Sequence, residues 1–264
     1  MDLSQIKMVV SDMDGTLLNS NHQVSNRFFE LFQGLKEKEI QFVAASGRQY
    51  HSIVQKLAPI QNDILVIAEN GALVKQREEE LLVTPLQEGL KETLLSKIEE
   101  IDGAHAMLCG KYNAYFDGKS KPFLEQLKEY YGRFEIIDTF ADVDDEIVKI
   151  AVYHSTSAEK CLYPEMQDLE PRVKVKVSGQ NWLDLNHTNA HKGFALEKVM
   201  QTFGLQPNEV LVFGDYNNDL EMLALVDHSF AMANAHPEVK KVANYETKSN
   251  NAFGVETVLE KLLH

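Results

Sequence analysis

Two aspartates stand two residues apart at the end of a short apolar run, where Met8-Val9-Val10-Ser11 leads into Asp12-Met13-Asp14-Gly15-Thr16. On an extended chain that spacing turns both carboxylates to one side. Carboxylates so close repel each other, and both stay ionised only if a cation joins them. Magnesium suits such a pair, because it prefers carboxylate oxygen and water. A second acidic pair, Asp215 and Asp219, follows another apolar run within Gly214-Asp215-Tyr216-Asn217-Asn218-Asp219 and would supply the remaining negative charge. Groups fit to hold an anion recur elsewhere. Ser46-Gly47 offers a hydroxyl and a backbone N–H at a strand-to-helix junction. Lys192 opens a helix, where the dipole gives a cation no help, so an anion to hold would explain it; a solvent-facing lysine is the plainer alternative. Asn218 could cap the helix starting near Asp219, or fix the anion or its ligands, and both can hold.

Other readings of these residues are weaker. A capping or turn role for Asp12 and Asp14 leaves the polarity of the other run ends unexplained. A calcium loop opening at Asp12 would need glycine where Leu17 stands and a glutamate where Gln23 stands. His187 and His191 have a ligand-like spacing but no evident third donor, and Trp182 suits packing better than substrate stacking.

The elements that must position these groups fall into two textures. Continuous apolar runs, Met8-Val9-Val10, Phe42-Val43-Ala44-Ala45, Ile64-Leu65-Val66-Ile67-Ala68 and Val210-Leu211-Val212-Phe213, resemble strands buried on both faces, with Phe230-Ala231-Met232-Ala233 as a fifth. Helix-period segments separate them. The faces are Val24, Phe28, Leu31, Phe32 and Leu35 after Ser25, then Ala195, Leu196, Val199, Met200 and Phe203 before Gly204; a third helix spans 236–243. Four runs end in polar groups with a glycine: Asp12 to Gly15, Ser46-Gly47-Arg48, Glu69-Asn70-Gly71 and Gly214-Asp215. Ligands of open α/β sheets bind at that edge. The second texture covers 85–186. Its strands alternate, as in Arg172-Val173-Lys174-Val175-Lys176-Val177 and Trp182-Leu183-Asp184-Leu185-Asn186, which predicts an antiparallel sheet with one wet face and helices over 86–101 and 122–132. The expected fold is therefore α/β, a doubly wound, mostly parallel sheet built from 1–84 and 187–264, interrupted by an α+β module at 85–186.

A formal net charge of -14 over 264 residues argues against nucleic acid or an anionic membrane as a main partner. It also requires any site for an anionic substrate to carry local positive charge. Two distant cysteines, Cys109 and Cys161, imply a reducing compartment, and with no leader-like run near Met1 the expected location is the cytoplasm.

Asp12-Met13-Asp14-Gly15-Thr16-Leu17, Ser46-Gly47-Arg48, Asn70-Gly71-Ala72, Lys192-Gly193 and Gly214-Asp215-Tyr216-Asn217-Asn218-Asp219 occur in the order of the haloacid dehalogenase-like hydrolases, and the chain resembles their Cof-type branch along nearly its whole length. The resemblance implies a phosphatase acting on a small phosphate ester, with Asp12 as nucleophile and Asp14 as general acid and base. It implies magnesium held by Asp12, the backbone carbonyl of Asp14 and Asp215, with Asp219 close by. Met13 through its backbone, Ser46, Gly47, Lys192 and Asn218 would surround the phosphate, and Arg48 and Asn70 would lie near the leaving group or the cap, the module at 85–186. For its role Asp14 should titrate well above a free aspartate, in a crowded acidic setting. Departures from the pattern are Ser46 for a more frequent threonine, Ala233 for a common glycine, and Phe253 where aspartate is frequent. A sugar phosphate is the leading substrate, with a phosphorylated cofactor such as pyridoxal phosphate behind it. A phosphomutase, a receiver-type signalling domain and a catalytically silent binding protein on the same scaffold are the rivals. Oligomeric state is not legible in the sequence.

Overall fold

The computed structural model describes residues 2–131 and 133–264, so Gly132, the last residue of the helix expected over 122–132, lies outside the described residues. The chain forms two compact units, Met1–Leu82 with His191–His264, and Val83–Ala190.

In chain order the first unit opens with β1 (Met8–Asp12), α1 (Asn26–Glu37), β2 (Gln41–Ala45), α2 (Tyr50–Lys56), β3 (Leu65–Ala68), β4 (Leu73–Gln76) and β5 (Glu79–Val83). The second unit follows with α3 (Leu90–Glu99), β6 (Ala104–Gly110), β7 (Ala114–Phe116), α4 (Lys121–Tyr130), β8 (Glu135–Ile136), β9 (Ile147–His154), α5 (Ala158–Cys161), α6 (Tyr163–Met166), β10 (Lys174–Val177) and β11 (Trp182–Asn186). The first unit then resumes with α7 (Lys192–Phe203), β12 (Val210–Gly214), α8 (Leu220–Leu223), β13 (His228–Ala231), α9 (Pro237–Val242), β14 (Tyr245–Glu246) and α10 (Gly254–Leu263). Among the described residues no helix is long and apolar enough to cross a membrane.

The eight strands of the first unit run in the order β14-β13-β12-β1-β2-β3-β4-β5. Every pairing from β14 to β3 is parallel, and β3–β4 is antiparallel. The apolar runs take these places because β1, β2, β3 and β12 are buried along almost their whole length, as strands covered on both faces must be. Helix α1 begins where the Ser25 hydroxyl accepts the Phe28 N–H at 3.0 Å, and its buried Phe28, Phe32 and Leu35 pack at the sheet, with Phe28 and Phe42 rings 5.0 Å apart.

The six strands of the second unit run β10-β11-β9-β6-β7-β8, antiparallel except for β7–β8. One face packs Leu108, Ile150, Val152, Leu183 and Leu185 against Leu90, Leu94 and Ile98 of α3 and Met166 of α6. The expectation of one wet face is corrected by the other side. There Met107, Cys109, Phe116 and Ala151 meet Phe123 and Leu127 of α4 in a second apolar cluster. Lys149 and Asp184 on that side are also buried, with Nζ and Oδ2 3.9 Å apart. The alternation in β10 and β11 told polar from apolar positions, but not that the polar side would be covered.

Candidate active site

In the first unit the strand order reverses at β1, with β2 and β3 laid out on one side and β12 to β14 on the other. A crevice opens beyond the carboxyl ends of parallel strands at such a reversal. Asp12 closes β1, and Asp215 directly follows β12, its neighbour in the sheet. Topology thus brings together two acids two hundred residues apart in sequence. Carboxylate oxygens of Asp12, Asp215 and Asp219 all lie within 4.8 Å of one another.

Lys192, the first residue of α7, is fully buried and points into this group. Its Nζ donates to Asp12 Oδ1 at 2.6 Å and to Asp219 Oδ1 at 2.7 Å. Of the two readings open for this lysine, solvent exposure is ruled out. His191 caps the same helix, its Nδ1 accepting the Phe194 N–H at 3.1 Å, which accounts for that histidine without a metal. Asp219 uses both oxygens: Oδ1 takes the lysine, and Oδ2 accepts the backbone N–H groups of Asp215 and Tyr216 at 2.9 and 3.1 Å. It braces the loop that carries Asp215.

Whether a cation fits is decided by what remains. Fully ionised, the three carboxylates facing one ammonium would leave an excess of two negative charges in a largely buried place. Asp12 Oδ2 is buried and has no hydrogen-bond partner. An orphaned carboxylate oxygen is costly unless a cation takes it. The donors are all hard oxygens, which suits a magnesium-like ion and not a zinc-like one. Asp12 and Asp215, with Asp219 beside them, could hold it.

The acid strengths follow from the same crowding. Burial pushes the Asp12 carboxyl well above its ordinary value; Lys192 opposes the rise, while the charges of Asp219 and Asp215 add to it. Burial and then the charge of Asp219 push Asp215 up to about 6 from 3.8. A carboxyl that holds its proton more tightly when folded makes stability fall as pH rises between those two values, and the loss persists above them. With EDTA present, the melting temperature should therefore be higher at pH 5 than at pH 7, and magnesium should raise it more at pH 7. A thermal melt that rises from pH 5 to 7 without metal would contradict this placement of the acids.

Asp14 departs from expectation. Its side chain is outside the acidic group and is gripped by Arg48, with Nε to Oδ2 and Nη2 to Oδ1 both at 2.6 Å. His22 Nδ1 adds a contact to Oδ1 at 3.3 Å. Burial pushes the Asp14 carboxyl up, but the Arg48 hydrogen bonds and charge outweigh it, with help from His22, and the carboxyl ends below its ordinary value. The expected raised value is corrected accordingly: in this arrangement Asp14 is ionised and ready to accept a proton. Arg48 thus meets the carboxyl of Asp14 directly.

The remaining residues group as follows. Met13 is buried, and its carbonyl accepts Leu18 N–H at 2.8 Å in the turn after β1. Ser46 is buried just after β2, its Oγ accepting Arg48 N–H at 3.1 Å, and Gly47 follows it. Helix α2 begins only at Tyr50, so Ser46 and Gly47 stand in a loop rather than at a helix start. Asn218 does not cap α8; its Nδ2 donates to Asn70 Oδ1 at 3.3 Å.

Two residues of the site were missed in the sequence. Thr16 Oγ1, buried, donates to Asp215 Oδ1 at 3.1 Å. Its signal was its place two residues beyond Asp14. His22 had none, because its approach depends on a left-handed backbone, φ +54°, in a loop. Gly15, at φ +81°, lets that loop pass Asp215: a methyl group there would lie 2.2 Å from Asp215 Oδ2.

A family model described as haloacid dehalogenase-like hydrolase matches residues 9–259. The chain is 32% identical to 5-amino-6-(5-phospho-D-ribitylamino)uracil phosphatase YbjI of Escherichia coli strain K12, over 98% of this chain and 96% of that one. It is 30% identical to the HMP-PP phosphatase of Escherichia fergusonii, over 89% of this chain and 86% of that one. Among solved structures, SMU.1108c of Streptococcus mutans UA159 superposes with a TM-score of 0.87 at 29% identity, covering 98% of this chain and 99% of that one.

Proposed function

The chain belongs to the haloacid dehalogenase-like hydrolases, and from that premise we propose that it is a magnesium-dependent phosphatase that cleaves a small phosphate monoester through Asp12. The observation that carries this reading is the Asp12 carboxylate: its Oδ2 is buried without a hydrogen-bond partner, its Oδ1 accepts from Lys192, and one of its oxygens lies within 4.8 Å of oxygens of two further acids. A nucleophile needs a fixed direction, and the Lys192 hydrogen bond gives the Asp12 carboxylate one.

Magnesium, bound by Asp12, Asp215 and the Asp14 carbonyl, would offset phosphate charge and draw electron density from phosphorus. A carboxylate oxygen of Asp12 attacks phosphorus in line with the departing oxygen, giving an aspartyl-phosphate and a free alcohol. Lys192 offsets charge on the equatorial oxygens. Met13 N–H, the Ser46 hydroxyl, Gly47 N–H and Asn218 orient the group. Asp14 donates a proton to the leaving oxygen and recovers one from the water that cleaves the intermediate. Since Arg48 favours the ionised form, Asp14 must loosen from Arg48 to carry the proton it donates. The Val83–Ala190 unit would act as the cap that selects the substrate.

The relative from Escherichia coli is named for a phosphate on a ribityl chain. This supports a sugar-like phosphate as the substrate class, ahead of a phosphorylated cofactor. Phosphate release from a panel of sugar, polyol and cofactor esters tests the reading, with magnesium and with EDTA. Release from at least one ester, abolished by EDTA and restored by magnesium, is expected. Turnover indifferent to EDTA, or transfer to a second sugar without free phosphate, would overturn it.

A further inference from the structure

The turn after β3 has left-handed backbone at three successive residues, with φ +51° at Glu69, +57° at Asn70 and +97° at Gly71. Side chains other than glycine adopt this backbone at a cost, and it persists only where the surroundings over-determine it. Three neighbouring segments do so here. The Asn70 N–H donates to the Ser46 carbonyl and the Glu69 N–H to the Arg48 carbonyl, each at 3.1 Å. Gly71 lies against the start of α7: a methyl group there would come within 2.4 Å of the His191 carbonyl oxygen and 3.0 Å of the Lys192 nitrogen. The Asn70 amide accepts from Asn218 Nδ2 at 3.3 Å, and a methyl group at Gly47 would come within 2.9 Å of its Oδ1. One turn thus touches the segments that carry Ser46, Gly47, Lys192 and Asn218.

We infer that Asn70 is a positioning residue, which fixes Asn218 for the phosphate and does not itself contact the substrate; the inference rests on the phosphatase reading above. An asparagine side chain has two N–H donors and one acceptor, and a free amide can turn end over end. With one N–H held by Asn70 Oδ1, the second N–H of Asn218 has a fixed direction. Glycine would satisfy the left-handed backbone better than asparagine does. What asparagine adds at this position is the amide, and the amide is what meets Asn218 and Gly47.

Asn70→Gly separates the two roles, since it keeps the turn and deletes the amide. It is assayed with p-nitrophenyl phosphate and saturating magnesium, with inorganic phosphate as the competitive inhibitor. The melting temperature should stay at or above that of the wild type, while KM and the inhibition constant for phosphate rise roughly tenfold, the scale of one hydrogen bond on an anion-binding group. In an Asn218→Ala background the same substitution should change neither constant by more than about twofold. Wild-type constants in Asn70→Gly would overturn the inference, because the residue would then serve the backbone alone. Losses that add in full to those of Asn218→Ala would overturn it too, because Asn70 would then act on the substrate directly. A wild-type protein that neither releases phosphate nor is inhibited by it would bring down the phosphatase reading, and this role with it; that outcome is visible without any variant.

Discussion

Asp12→Asn should release no phosphate above background, a loss on the order of 10⁴-fold or more in kcat, worth about 5 kcal/mol of transition-state stabilisation. The fold should survive. An amide oxygen can still accept from Lys192, and replacing a carboxylate by a neutral group relieves the crowd formed with Asp215 and Asp219. In EDTA at pH 7 the variant should melt at or above the wild-type temperature, and magnesium should raise its melting temperature less than it raises that of the wild type. Loss of activity without loss of fold separates chemistry from structure at this position. Turnover within tenfold of wild type would remove Asp12 as the nucleophile.

The parts of the site that were legible in the sequence are those encoded locally. An apolar run ending in acids identifies both a buried strand and its ligand-bearing edge, so Asp12 and Asp215 could be placed before any coordinates. Their meeting needs one further step, the reversal of strand order at β1, which alternating strands and helices already imply. The partners of Asp14 were not legible. Period two holds only while the chain is extended, and β1 stops at Asp12. The backbone then turns, with Thr16 N–H reaching back to the Met13 carbonyl at 3.4 Å, and the Asp14 side chain meets Arg48 instead of the acids. Lys192 shows a related limit. Its place at a helix start suggested a bound anion, but the anions the structure gives it are the protein's own carboxylates, one of them 180 positions away. In Val83–Ala190 the pattern revealed which residues alternate but not what covers each side, so the second apolar cluster around Phe116 and Phe123 was unexpected.

Lys192→Met tests that pairing by removing the ammonium that bridges Asp12 and Asp219. Methionine fits the space of the stem, so the change is chiefly one of charge. The ammonium is fully buried. Burial alone would push its pKa down, but Asp12 and Asp219 raise it further, so it stays charged throughout the usable pH range. Removing one partner of a buried ion pair leaves the other's charge uncompensated, which typically costs about 3–5 kcal/mol. For a protein of this size that corresponds to a fall in melting temperature of roughly 10 °C. The sign of its pH dependence is fixed by the orphaned acids. Without the lysine the Asp12 carboxyl, already raised by burial, is raised further, so at low pH it is neutral and its share of the penalty disappears, while at high pH it is felt in full. The gap between variant and wild type in EDTA should therefore widen from pH 5 to pH 8, and magnesium should narrow it at pH 8 by supplying positive charge. Phosphate release should fall at least about 10³-fold, because the same ammonium is the group proposed to offset charge on the transferring phosphoryl. A variant that melts within 2 °C of wild type at pH 8 in EDTA, by the calibration just used, would mean that Lys192 does not neutralise the two aspartates in solution. The charge count from which a divalent cation was inferred would then be wrong.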